Sequence, residues 1–156
     1  MPEIAFQDAY PDDLSRCFGC GKHNNQGHQL KSYWHNEQTI AHFTPLAVHT
    51  AIPGFVYGGL IASLIDCHGT GSASAKAYQQ AGRELGSSPA MRFVTGNLNV
   101  SFVAPTPIGV ELELIGAFIE IKERKIVIDI TLSALGVICA KGQVIAIKMP
   151  ATMGIV

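Results

Sequence analysis

The sequence predicts a two-layer α+β domain, one long helix packed on an antiparallel sheet. Three observations predict it. A single long helical stretch, YGGLIASLIDCHGTGSASAKAYQQA, covers about residues 57–80 and is stopped by Gly82, Gly86 and Pro89. Four segments of strand character follow, each closed by a short turn. The chain has 156 residues, which fits one domain over 1–156.

Each element has its own signal. Residues 1–28 are polar and turn-rich and end in CFGCGKHNNQGH. Short strands are expected at 29–35 and 38–43, and a loop with Pro45 and Pro53 leads into the helix. Over 93–104 the residues alternate, with Val94, Leu98, Val100 and Phe102 on one face and Thr95, Asn97, Asn99 and Ser101 on the other. The turn APTPIG (104–109) precedes a strand at 110–121. The charged tip Lys122-Glu123-Arg124-Lys125 joins it to 124–134, and Leu135-Gly136 turns the chain into a last strand at 137–148.

Composition narrows the function. Apolar residues make up 47% and charged residues 15%, with 11 Lys+Arg against 12 Asp+Glu. A net charge of −1 argues against a nucleic-acid or anionic-membrane binder. The charged fraction is well below the roughly 25% usual for a globular domain, so part of the surface is expected to face a second copy. No apolar run is long enough to span a membrane. The first residues, MPEIAFQDAYPDDLSR, lack a basic start and an apolar core, so no secretion signal is expected. The four cysteines then read as reduced cytoplasmic thiols.

The helix carries the chemical signal. On a helical wheel Leu60, Ile61, Leu64, Ile65 and His68 share one side. Gly59, Ser63, Asp66 and Thr70 line the opposite side, where a solvated helix would carry Lys, Glu and Arg. Between Tyr57 and Ala75 the one charge is Asp66. A stripe of small residues around a single carboxylate reads as the wall of a site or a close packing contact. A desolvated carboxylate gains basicity, as a general base for water requires. Gly58-Gly59 opens the helix, where free N–H groups can hold a developing oxyanion. Gly58 and Asp66 lie eight residues apart, roughly 12 Å along one helix. They cannot both reach one carbonyl carbon unless two antiparallel helices from two chains meet.

The stretch PGFVYGGLIASLID, followed by NVSFVAPTPIG, resembles the hotdog-fold thioesterases. It is most similar to the phenylacetate-degradation (PaaI-like) branch, and CFGCGKHNNQGHQL resembles a segment common there. The resemblance covers roughly 16–148. It implies a hotdog fold that dimerises through sheet and helix, possible pairing of dimers into tetramers, and hydrolysis of acyl-CoA with no metal or redox cofactor. Gly58 corresponds to the oxyanion glycine, Asp66 to the catalytic carboxylate, and Thr95 to a frequent site Ser or Thr. Two positions depart from the branch: Tyr57 replaces the usual His before Gly-Gly, and Ala51 replaces an Asn or Gln. The Tyr57 hydroxyl is expected to orient substrate or water. Gly59, Ser63, Thr70 and Asn97 are expected to line the substrate slot. Lys76, Arg83 and above all Arg92 are candidates to meet the coenzyme A phosphates.

Other residues read as structural. Cys17, Cys20, His23 and His28 form C-x2-C-x2-H-x4-H, a weak match to a zinc site. Cys67 and His68 adjoin Asp66 but point about 100° apart, so they read as core or interface rather than a relay. His35, His42 and His49 read as incidental. The leading expectation is an acyl-CoA hydrolase. Its rivals are a non-catalytic hotdog protein that binds an acyl or aromatic ligand, and a dehydratase or hydratase.

Overall fold

A computed structural model describes residues 3–153. Two short strands, β1 (Ser32–His35) and β2 (Gln38–Phe43), precede the helix α1 (Gly58–Gln80). Four longer strands follow: β3 (Phe93–Phe102), β4 (Leu112–Ile121), β5 (Lys125–Ala134) and β6 (Val137–Lys148). They form one six-stranded sheet in the order β1-β2-β4-β5-β6-β3. Every pairing is antiparallel, and short turns join β1 to β2, β4 to β5 and β5 to β6. The expected elements are all present, with β1 starting three residues later, β3 ending two earlier and β4 starting two later than the alternation suggested.

The helix lies across β6, β3 and β5. Leu60, Leu64 and Ile65 pack on Leu132, Ile130, Ile128 and Val144 in the core between the layers. Glycines let the layers close. A Cβ on Gly69 would collide with Val144, and a Cβ on Gly142 would collide with Ile65.

The apolar stripe of α1 explains only half of its burial. From Cys67 to Ala75 every residue is buried, whichever way it points. The second cover is the N-terminal segment, which the sequence marked as polar and turn-rich. Phe6, Gln7, Tyr10 and Cys20 are buried in it. A Cβ on Gly71 would collide with the Gln7 amide, and one on Gly19 with the Cys67 sulfur. Of the small-residue stripe, Ser63 faces this segment, 3.2 Å from where a Gly19 side chain would begin.

Among the described residues β3 is an edge strand, bonded to β6 alone. Directly paired residues in an antiparallel sheet share a face. Thr95 pairs with the buried Ala146, Leu98 with the buried Val144 and Phe102 with the buried Ala140. The register slips between Thr95 and Asn97, so Gly96 is an extra bulge residue. This corrects the expected alternation. Thr95 shares the helix-facing side with Leu98 and Phe102, whereas Asn97 lies on the outer side with Asn99. Along the helix-facing side Leu98, Phe102 and the following Val103 remain exposed. The chain exposes 8340 Å² in all, more than the ~7,600 Å² expected of a monomer of its mass. Among the described residues, no helix is long and apolar enough to cross a membrane.

Candidate active site

Asp66 sits in the middle of α1, half-buried where the helix passes the bulged end of β3. The Thr95 hydroxyl donates to its Oδ1 within the same chain. The bulge makes this contact possible, because regular pleating would have sent Thr95 outward. Burial is the main influence on the carboxyl and raises its pKa. The Thr95 hydrogen bond opposes that shift, Cys17 adds to it, and the Arg92 charge weakly opposes it.

At the start of α1, Tyr57 is the N-cap residue and Gly58 the first helical residue. Among the described residues the N–H groups of Gly58 and Gly59 make no backbone hydrogen bond. They are the free donors a helix N-terminus offers. Gly58 opens on a cleft of about 450 Å³ with Phe55, Ile61, Phe102 and Thr106 in its wall. The Phe102 ring lies against Gly58, 3.2 Å from where a side chain would begin. The Tyr57 ring folds back on Gly59, which is itself exposed.

The remaining expected site residues fall elsewhere. Thr70 is buried, and its hydroxyl donates back to the carbonyls of Asp66 and Cys67. Ser63 is half-buried beneath Gly19. Asn97 is exposed on the outer side of β3, away from Asp66. Arg92 turns inward: its guanidinium lies 4.4 Å from the Tyr10 ring centroid and bonds the Phe93 carbonyl. It is thus a packed cation rather than an exposed phosphate anchor. Arg83 is likewise tied to the carbonyls of Ser87 and Pro89. Lys76 bonds Gln79 and stands 5.0 Å from the Phe118 ring centroid.

Three neighbourhoods were not legible in the sequence. His68 is fully buried, with Ser32 Oγ 2.8 Å from Nδ1 and Thr39 Oγ1 3.1 Å from Nε2. Gln7 and Ser72 complete this polar chain, at 2.9 Å from Ser32 and 2.7 Å from Thr39. Burial holds the imidazole down to about 4, so it is neutral near pH 7. His49, expected to be incidental, instead packs edge-on against His28 and tilted against Phe43, beside Tyr57 in a second cleft of about 770 Å³. The expected Cys17, Cys20, His23, His28 set is not assembled. His23 bonds Asp12 at 2.9 Å, and His28 packs on Phe18. Cys67 takes their place beside the two cysteines, with its sulfur 3.8 Å from that of Cys17.

A thioesterase superfamily protein from Shewanella loihica PV-4 has 55% identity to this chain. The match covers 90% of this chain and 100% of that one, with a TM-score of 0.69. A second thioesterase superfamily protein matches at 20% identity over 93% of this chain and 69% of its own, with a TM-score of 0.66. A protein from Streptococcus mutans UA159, bound to acetyl-CoA, matches at 20% identity over 77% of this chain and 88% of its own, with a TM-score of 0.56. No protein-family profile and no curated protein matches the chain. One long helix on a six-stranded antiparallel sheet, shared with these structures, defines a hotdog-fold protein. At 55% identity along nearly its whole length, the chain belongs to the thioesterase superfamily.

Proposed function

We propose that this protein hydrolyses acyl thioesters of coenzyme A, with Asp66 driving attack on the carbonyl and Gly58 N–H holding the oxyanion. One observation carries the reading. The lone carboxylate of the helix's first half is desolvated yet held in place by Thr95 on the edge strand. Asp66 acts as general base on water or as nucleophile. Thr95 orients it and favours its charged form. Coenzyme A as the carrier is supported by the acetyl-CoA bound to the Streptococcus mutans relative. The leading CFGCG segment supports the PaaI-like branch.

The working unit in this proposal is a homodimer of single-domain chains. Gly58 lies beside Phe102, and Asp66 beside Thr95, at opposite ends of β3. Two β3 edges paired antiparallel about a point near Leu98 would bring Thr95 of one chain towards Phe102 of the other. Asp66 of one chain would thereby approach Gly58 of its partner. The unpaired outer edge of β3 and the exposed Leu98, Phe102 and Val103 support this pairing. Further pairing into tetramers, a cytoplasmic location and a hydrolytic step that uses no metal or redox cofactor complete the proposal.

A panel of acyl-CoA substrates with free-thiol detection tests the reaction. Turnover is expected for wild type. Absence of turnover on the whole panel, with acyl-CoA still bound, would replace the enzyme with the ligand-binder reading. Chain mixing tests the shared site. Gly58→Pro removes the N–H at a position where proline suits a helix start, and Asp66→Asn removes the charge. Mixed dimers should regain activity at the one site that pairs intact Gly58 with intact Asp66. No recovery after verified subunit exchange would place both groups on one chain.

A further inference from the structure

The Cys17, Cys20 and Cys67 sulfurs all lie within 4.8 Å of one another, and no disulfide joins them. Among the described residues, no other three His, Cys, Asp or Glu side chains converge in this way. The three come from two places, the Cys-Phe-Gly-Cys-Gly turn and the helix residue next to Asp66. We propose that this trio is a metal site, binding one thiophilic d10 cation of the zinc class through three thiolates.

Three features fit a metal. In a tetrahedral zinc–thiolate site, with Zn–S near 2.3 Å, neighbouring sulfurs stand about 3.8 Å apart. The Cys17–Cys67 separation is 3.8 Å. The turn is built for close approach. A Cβ on Gly19 would collide with the Cys67 sulfur, and a Cβ on Gly21 with the backbone of Cys17 and Ser15. The Arg92 guanidinium is close enough for its charge to interact with all three sulfurs, and it balances the net −1 of a divalent ion with three thiolates.

Burial and access also fit. Cys20 and Cys67 are buried, while Cys17 is partly exposed and leaves a route to the site. Binding converts one divalent cation and three thiols into a tris-thiolate complex and releases three protons. The fourth position stays open to water. The ion would fasten the N-terminal segment to α1 beside Asp66, by a contact that spans 50 residues of sequence.

The test uses the full chain, reduced and metal-free, titrated with Cd²⁺ or Zn²⁺ alone. Cadmium reports thiolate ligation through a sulfur-to-metal charge-transfer band in the ultraviolet. The band is expected to saturate at one Cd²⁺ per chain, Zn²⁺ should displace it, and either ion should raise the melting temperature. Cys17→Ser and Cys67→Ser should each weaken binding at least about 10-fold, while Cys139→Ser and His23→Ala leave it unchanged. Cys17 is only partly buried, so Cys17→Ser remains decisive even if Cys67→Ser misfolds. No charge-transfer band, or a band indifferent to Cys17→Ser, overturns the proposal and leaves three packed thiols. Loss of two hydrogens by mass under mild oxidant, with no Cd²⁺ band, also overturns it and assigns the cluster to disulfide chemistry.

Discussion

Asp66 and His68 stand two residues apart on one helix, yet their surroundings push them to opposite ends of usefulness. Asp66 points towards the edge strand, half-buried, with one hydroxyl partner, and burial raises its pKa. His68 points into the region sealed by β1, β2 and the N-terminal segment, with both ring nitrogens bonded, and burial lowers its pKa to about 4. Desolvation is the first cause in both cases. It penalises whichever form is charged, so a carboxylate becomes a stronger base and an imidazole loses its proton. What separates the two is access. A perturbed group at an open edge is available for chemistry. A perturbed group in a closed, fully bonded network has its polar atoms committed to the fold.

Breaking the open partner should have the larger effect on activity. Asp66→Asn is expected to reduce turnover at least about 10²-fold, with an unchanged oligomer. The carboxyl pKa is raised in the folded state, so the ionised form costs stability, a loss that sets in as pH rises through the ordinary value of 3.8. Asp66→Asn should therefore melt at or above wild type near neutral pH, and the gap should close in acid. Full activity in the folded variant would remove Asp66 from the mechanism.

Breaking the closed partner should affect stability instead. His68→Leu takes one buried partner each from the Ser32 and Thr39 hydroxyls and is expected to cost roughly 2–4 kcal/mol in denaturant unfolding. The imidazole pKa is depressed, so its contribution is complete above about 6.5 and is lost as pH falls towards about 4. Wild-type stability should fall through that window by up to about 3 kcal/mol more than that of His68→Leu. Equal pH slopes for the two proteins would mean that His68 titrates normally.

Thr95→Val sharpens the comparison by making Asp66 as desolvated as before but without its partner. The hydroxyl holds the Asp66 pKa down, so its loss should move the acid limb of kcat/KM to higher pH. Activity at neutral pH should fall about 10-fold. An unmoved acid limb would separate Thr95 from the reaction. The smallest effect is expected at Tyr57. Its ring covers Gly59, so Tyr57→Phe should stay within about 0.5 kcal/mol in kcat/KM. A tenfold loss would return its hydroxyl to substrate binding.

Much of this was legible before the structure. Apolar patterning and turn residues located α1 and all six strands to within three residues. Asp66 stood out as a lone charge on a long helix. Its partner did not. The alternation from Val94 to Phe102 hides a bulge whose one sign is Gly96, a glycine inside a strand pattern. The cover over the second half of α1 was equally hidden, since residues 1–28 show no period and bury their few anchors singly. The cysteine trio joins positions 50 residues apart, a distance over which spacing rules carry no information. The histidines that completed the local motif turned instead to Asp12 and Phe18.

The bulge at Gly96 acts as a phase shift in a two-beat rhythm. Upstream of it the strand counts in odd numbers towards the helix, and downstream in even ones. Were the same residues paired in unbroken alternation, the composition of β3 would be unchanged, and Leu98, Val100 and Phe102 would keep their places on the helix-facing side. Gly96 would then stand opposite Ala146, and Thr95 would swing to the outer side. Deleting Gly96 would instead preserve the contact, since Thr95 and Asn97 already pair with the adjacent residues Ala146 and Ile145. One slip of register, and no change in any side chain, thus decides whether the carboxylate meets a hydroxyl or bare backbone. Among relatives of this protein, a β3 that keeps this length but pairs without the slip would mark a different acid–base environment as surely as a substitution of Thr95 itself.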